Sequence, residues 1–396
     1  MIAPMPQTAQ PPRAITLPPP RWVGAAAVAL ASIAIASGLT FDAARTWSDL
    51  LVDGFFVLAA ALGGLLFVAI HHLSGASWSA GVRRVAEAMT GALPVAALMM
   101  LGLFFGRRSL YPWAAGALSA VRESGPASSW YFATPFVFAR MALFLIVWTV
   151  LAASIVRSSG RQDLSADPIH RRRMVRDSAL FAVIFAWTFS LAAADWLLSL
   201  DPRWTSTIFA VYVFAGVFVE GVAAITLAVV LLHERGYLAD VVTPHHMHDL
   251  GKLLFAFTTF WAYIWLSQYL LIWYGNLPDE AGYYQVRTSP AWIGLFAVNL
   301  IVNWVIPFLV LLPRESKRRR SVLKRVAIVL LFGRWLDVYL LVAPQTAKAP
   351  SFGVLEIALA VAYGGIAWYA VSTTLARRPL VARHDPCLAD CLRHAQ

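Results

Sequence analysis

The sequence has almost no cysteine. Two occur in 396 residues, Cys387 and Cys391, four apart near the C-terminus. An iron–sulfur cluster takes about four thiolates and a structural zinc site about four ligands, so this pair suits neither. Both read as free thiols of a frayed tail. Charge is scarce as well: 13% of the residues are Asp, Glu, Lys or Arg, where a soluble domain carries about 25%. A soluble chain of this length needs charged side chains to keep its surface wet. With 59% apolar residues, this chain has lipid as its main solvent, and a soluble enzyme is excluded.

Acidic residues are the rarer charges, 21 against 32 basic ones, for a net +11. A soluble protein with that excess would invite a nucleic-acid reading. Here topology accounts for it. A membrane helix needs about 20 mostly apolar residues, and ten such stretches occur: 22–40, 51–72, 83–105, 131–156, 175–199, 207–233, 250–273, 289–312, 322–342 and 352–376. Residues 1–21, rich in proline, read as a disordered arm, 22–376 as a ten-helix membrane domain and 377–396 as a tail. The first apolar run exceeds the roughly 7–15 residues of a signal-peptide core, so it is expected to be a retained helix. With ten spans both termini share a side. That side carries 23 of the Lys and Arg residues, the other carries seven, and Arg140 and Arg334 lie inside spans. The positive-inside rule then puts both termini in the cytoplasm and leaves no need for nucleic acid.

A third absence is histidine at mid-membrane. All nine histidines fall at the cytoplasmic span ends, in cytoplasmic loops or in the tail. A b-type haem needs axial histidines facing each other inside a bundle, so this chain is expected to hold no haem, iron–sulfur cluster or other redox metal. The run Thr243-Pro-His-His-Met-His-Asp matches no closed tetrahedral spacing. It reads as a loop that caps span 7, where Asp249 suits the helix dipole, or that feeds protons.

Ionisable groups inside spans are costly and are functional candidates by default. On the periplasmic half lie Arg140, Asp195, Arg334, Asp337 and Glu356, with Gln268 at similar height. Glu220 and Asn299 lie near the middle. On the cytoplasmic half are His71, His72, Glu87 and the cluster His245, His246, His248, Asp249 and Lys252. Each admits two readings. Arg334 and Asp337 are three apart and share a helix face, which suits mutual neutralisation. Arg140 and Asp195 form either a static pair or a quinol site in which Asp195, helped by Arg140, accepts the proton. Glu220, with no basic residue near in sequence, suits a proton relay or a neutral hydrogen-bonded carboxyl. The heavy aromatic load (16 Trp, 12 Tyr and 23 Phe) forms interfacial belts or a flat slot for a quinone ring, for which Trp196 beside Asp195 is the candidate.

Certain strings are more specific. Asp195-Trp-Leu-Leu-Ser-Leu-Asp-Pro-Arg-Trp204, Ser206-Thr-Ile-Phe and Tyr212-Val-Phe-Ala-Gly216 resemble the span 5–6 signature of NrfD-like (polysulfide reductase-type) quinone-binding membrane subunits. The nearest resemblance is to those of alternative complex III, the quinol:cytochrome c oxidoreductase. His248-Asp-Leu-Gly-Lys-Leu-Leu-Phe-Ala-Phe257, Trp261, Gln268-Tyr, Ile272-Trp-Tyr and Pro278-Asp-Glu280 are similar to the family's seventh span. His71-His72 and Gly81-Val-Arg-Arg-Val-Ala-Glu87 resemble its link between spans 2 and 3. The likeness covers roughly residues 50–345, and the chain length is nearer to the ActF type than to the longer ActC-type paralogue.

The resemblance implies an all-α integral membrane fold with two four-helix bundles, spans 2–5 and 6–9, flanked by spans 1 and 10. It implies the bacterial inner membrane, an ActC-type paralogous subunit, a periplasmic iron–sulfur subunit and cytochrome c subunits as partners, and quinol as the substrate. In that family quinol oxidation is attributed mainly to the ActC-type paralogue, which leaves this chain quinol binding, proton translocation or both. Asp195, Arg140, Trp196 and Gln268 are the candidate quinol contacts. His71, His72, Glu87, Glu220, Asp337, Glu356, His248 and Asp249 are the candidate proton path. Two rival readings stand beside it: a structural anchoring paralogue, and a secondary transporter, for which Gly63-Gly64 or Gly364-Gly365 would mark helix breaks.

Overall fold

The computed structural model describes residues 19–116 and 130–394. Apart from residues 19–21, the expected disordered arm lies outside them. The described residues contain no strand, and ten helices are long and apolar enough to cross a membrane. They are α1 (Arg21–Phe41), α2 (Ala43–Ser74), α3 (Arg83–Leu110), α4 (Thr134–Gln162) and α5 (Pro168–Leu200), followed by α6 (Phe209–Glu234), α7 (Pro244–Gly275), α8 (Ile293–Leu311), α9 (Arg320–Thr346) and α10 (Val354–Ala376). Each coincides with one span read from hydropathy, and the chain is a multi-pass, all-α membrane protein.

Several helices start earlier than their apolar runs, because capping chemistry outranks hydropathy at the ends. Asp42 accepts the Arg45 N–H and starts α2 eight residues before the apolar run. Asp167 caps α5, with Pro168 in the first turn where its missing N–H costs nothing. Thr243 and His246 form a reciprocal capping box at the head of α7. The expected His-rich loop is therefore the first helical turn of α7. At the other end of α2, Gly75 closes the helix in the left-handed conformation (φ 64°).

Lipid offers no hydrophobic drive between helices, so close backbone approach and interhelical hydrogen bonds must hold the bundle. Contacts close two circuits: α2 with α3, α3 with α4, α4 with α5 and α5 with α2; then α6 with α7, α7 with α8, α8 with α9 and α9 with α6. The seam between them is α2 against α6, the two most enclosed helices. There Gly63 and Gly221 meet backbone to backbone; a Cβ on either would strike the other's main chain. Gly63-Gly64 and Gly364-Gly365 run through unbroken helix, so the expected breaks are not there: the first glycine is a packing residue. α1 lies on α10, which in turn packs on α2 and α3.

The tail is not frayed over its described length. Leu380, Val381, Ala382 and Cys391 are buried. They carry residues 377–394 back across the face of the molecule where α2 ends and α7 begins.

Candidate functional site

The structure brings Arg140 and Asp195 together in the first circuit. Arg140 Nε donates to Asp195 Oδ2 at 2.7 Å, and the Tyr131 hydroxyl donates to Oδ1 at 3.0 Å. The guanidinium lies 4.0 Å from the Tyr131 ring centroid and 4.7 Å from that of Phe136. Burial, with the Asp195 carboxylate adding, pushes the Tyr131 phenol up to about 12, so it remains a donor throughout the physiological range. Trp196 is enclosed beside this pair, its ring 5.9 Å from that of Trp148. Gln268 is not part of this group. It lies on α7 in the second circuit, so the four candidate quinol contacts belong to two places.

The second circuit holds the more extended network. Asp337 Oδ1 accepts from the Tyr212 hydroxyl and, at 2.7 Å, from Asn299 Nδ2. Its Oδ2 is bonded to Arg334. Asn303 Nδ2 donates to Asn299 Oδ1 at 2.7 Å and to the Gly333 carbonyl at 2.8 Å, tying α8 to α9. A π-helical turn, Ile301–Val305, sits at this point of α8. Such one-turn insertions shift side-chain direction and are frequent at functional sites. Gly216 on α6 leaves the space that the Arg334 guanidinium fills. One turn further along α6, Glu220 is 1% exposed, and its Oε1 has no hydrogen-bond partner among the described residues.

Two spaces adjoin this network and share Gln268. One is internal, about 20 Å³, walled by Tyr212, Tyr283, Tyr284, Arg287, Asn299 and Asp337. That is room for a single water. The other is a groove of about 370 Å³ opening between Leu198, Thr205–Ile208 and Leu271–Ile272. Arg287 is fully enclosed without a carboxylate. Its Nε donates to the Leu340 carbonyl at 3.1 Å, which Pro344 cannot bond because it has no N–H. Nη1 and Nη2 take the Tyr283 and Leu341 carbonyls. The cation thus repairs a helix defect and lines the cavity at once.

On the face where α1 begins and α10 ends, Glu87 is held from three sides. Arg84 Nη1 lies 2.9 Å from Oε2, Ser159 Oγ donates to Oε1 at 2.7 Å, and Arg83 Nε is 3.7 Å away. His71 Nδ1 meets the Phe67 carbonyl at 2.7 Å, so that nitrogen carries the proton. His72 Nδ1 is 3.1 Å from Ser178 Oγ, and its Nε2 has no partner among the described residues. In α7 the Thr243 N–H donates to His246 Nδ1, which leaves Nε2 protonated to face Cys391 Sγ at 3.2 Å. His248 is buried near Asp249, and Asp249 pairs with Lys252 and with His394, each at 2.6 Å. Among the described residues no group of three or more His, Cys, Asp or Glu is placed to hold a metal ion.

Glu356 proves to be tied down. Arg45 grips both of its oxygens at 2.5 and 2.8 Å, and the Gly353 N–H donates to it at 2.8 Å, so it caps α10. Sequence reasoning missed its neighbours. Asp49 and Asp53 on α2 are buried, and each has one oxygen without a partner among the described residues; Trp335 Nε1 donates to Asp53 at 2.7 Å. Asp53 already fell inside the span read from hydropathy, and reading Asp42 as a helix cap would have added Asp49, four residues earlier on the same face. No family model matches this chain, and no curated protein matches it.

Proposed function

We propose that this chain is a membrane subunit of a respiratory quinol:cytochrome c (electron-acceptor) oxidoreductase, contributing to quinol binding and to redox-coupled proton movement. The observation that carries the reading is the buried network Tyr212–Asp337–Asn299–Asn303 with Arg334, separated by Gln268 from an open groove. Oxidation of a quinol releases two electrons and two protons. The electrons go to companion iron–sulfur and c-type cytochrome subunits, as the resemblance implies, and this chain's side chains take the protons.

The groove is within the range of small-molecule sites, about 300–1,000 Å³. The inner cavity admits only water. A quinol headgroup therefore fits against Gln268 and the Thr205–Thr207 hydroxyls, with one water between Gln268 and the Tyr212–Asp337 pair. Asp337 accepts the proton while Arg334 balances the carboxylate before it arrives. Glu220, buried with its Oε1 unpartnered among the described residues, is the next station. An unpaired charge there would be very costly, so it holds a proton at rest and passes one on only as another arrives. The Arg140–Asp195 pair ties α4 to α5, and the buried Arg140 Nη1 and Nη2 have no hydrogen-bond partner among the described residues.

A secondary transporter would place substrate between broken helices with half-helix ends at mid-depth. The candidate breaks run as continuous helix, which favours the quinol reading over that rival. The test uses the complex purified from its native membrane with Asp337→Asn and Glu220→Gln. Each variant is expected to lower proton release per electron and to slow quinol-dependent cytochrome c reduction at least about tenfold, a cost of about 1.4 kcal/mol. Unchanged turnover and proton release in both variants would remove the mechanism.

A further inference from the structure

On the face where α1 begins and α10 ends, the ends of α4 and α10 enclose an open groove of about 460 Å³. Arg157, Arg161, Arg377, Arg378 and Arg383 surround it, with Asp163 as its one acid. That acid is spoken for: Oδ2 bonds Arg84 Nη2 at 2.6 Å and Oδ1 accepts the Arg383 N–H at 3.1 Å. None of the five guanidinium groups lies within ion-pair distance of a carboxylate among the described residues, although Arg378 feels the charges of Glu87 and Asp163 from further off. Gly160 leaves the gap in which the Arg378 guanidinium lies against α4, donating to the Val156 carbonyl.

A basic face is ordinary in a membrane protein. Five arginines around one groove, none of their guanidinium groups within ion-pair distance of a carboxylate, is a narrower arrangement, and guanidinium forks match phosphate oxygens in pairs. The groove also continues into an apolar track. Leu143, Ile146 and Val150 on α4 are all more than half exposed, and with Arg157 and Arg161 they recur at helical spacing on one side of the helix. Leu143 to Arg157 spans roughly 21 Å of helix, somewhat more than the ~15 Å of one leaflet's hydrocarbon. Leu164, 86% exposed, sits at the rim.

We propose that this groove binds the phosphate headgroup of an anionic phospholipid whose acyl chain lies along the exposed side of α4. The lipid would join the end of α4 to the tail after α10. Basic pockets at helix ends are suited to such headgroups.

The test is native mass spectrometry of the full-length chain, purified from its own membrane with its companion subunits, then delipidated and titrated. The unmodified protein is expected to retain phosphatidylglycerol at least about tenfold more tightly than phosphatidylcholine. R157Q/R377Q/R383Q is expected to weaken phosphatidylglycerol binding about tenfold or more, while R235Q/R319Q/R325Q, which removes equal charge elsewhere on the same face, leaves it within about twofold. Equal weakening in both triple variants would reduce the effect to net charge and overturn the site. So would displacement of the lipid by an equal concentration of inorganic phosphate, or the discovery of an acidic segment of a companion subunit filling the groove. The lipid preference is measured on unmodified protein, so a misfolded variant leaves the proposal exposed to refutation.

Discussion

Because charge is so scarce, each ionisable side chain inside a span has to be accounted for singly. Their identity and depth were legible in the sequence, since depth follows from residue number along a helix. Their partners were legible only in part. Glu356 answers to Arg45, 311 residues away, which nothing in the sequence foretold; Arg334 and Asp337, three apart, could be paired by spacing, and Arg140 and Asp195 by their depth on neighbouring spans. Removing one partner of a buried pair costs far more than the pair contributes, because the other charge is stranded. Asp337→Ala is therefore expected to destabilise the protein by about 3–5 kcal/mol, with Asp337→Asn costing clearly less, both read from thermal unfolding in detergent. The two cysteines provide a second residue-scale test. Burial raises the Cys391 thiol to about 11 from an ordinary 9.0, and Cys387 is half-exposed. The unfolded thiol ionises first, so the folded state keeps its full advantage below about pH 9 and loses it as pH climbs towards 11. Maleimide at pH 8 should label Cys387 at least about tenfold faster than Cys391, and the gap should close over that alkaline range. Equal rates at pH 8 would show that the tail is undocked.

At the scale of helices, hydropathy located all ten spans but set their ends by where apolar residues run out. Caps set the true ends, and the difference hid Asp49 in α2 and turned the His-rich stretch into the first turn of α7. The π turn in α8 left no mark in hydropathy, because it changes direction rather than composition. Glycine shows the same limit: Gly63 looks like a helix breaker in a list of residues, yet it is the contact surface of α2. The seam with Gly221 predicts a sharp contrast. Gly221→Val drives a branched side chain into the Gly63 backbone and is expected to cost about 1–3 kcal/mol or to prevent assembly. Gly75→Ala meets no atom within 4 Å and pays only for its positive φ, on the order of 1 kcal/mol. Thermal midpoints that fall equally for the two would argue against a close α2–α6 approach.

At the scale of the molecule, sorting charges by side explained the basic excess, but composition could not say which helices touch or that the polar tail would fold back. Leu380, Val381 and Ala382 are a short apolar run among charges, too brief to register as an element, and they bury completely. Beyond them, Asp385 pairs with Arg83, Cys391 faces His246 and the Trp78 carbonyl, and His394 bonds Asp249. One segment thereby spans both helix circuits at the ends where His71, His72 and Asp249 lie. Deleting residues 385–396 leaves Arg83 with Glu87 alone at 3.7 Å and uncovers the cavity beside His72, which Asp385 and Cys387 help to wall. Amide hydrogen exchange over residues 76–84 and 244–250 is expected to quicken at least about tenfold, the loss of about 1.4 kcal/mol of local protection. The α2–α6 seam around Gly63 and Gly221, far from the deletion and held by backbone contact, is expected to exchange as before. If residues 76–84 stay protected, the tail only rests on the bundle, and the ends of α2 and α7 hold themselves closed.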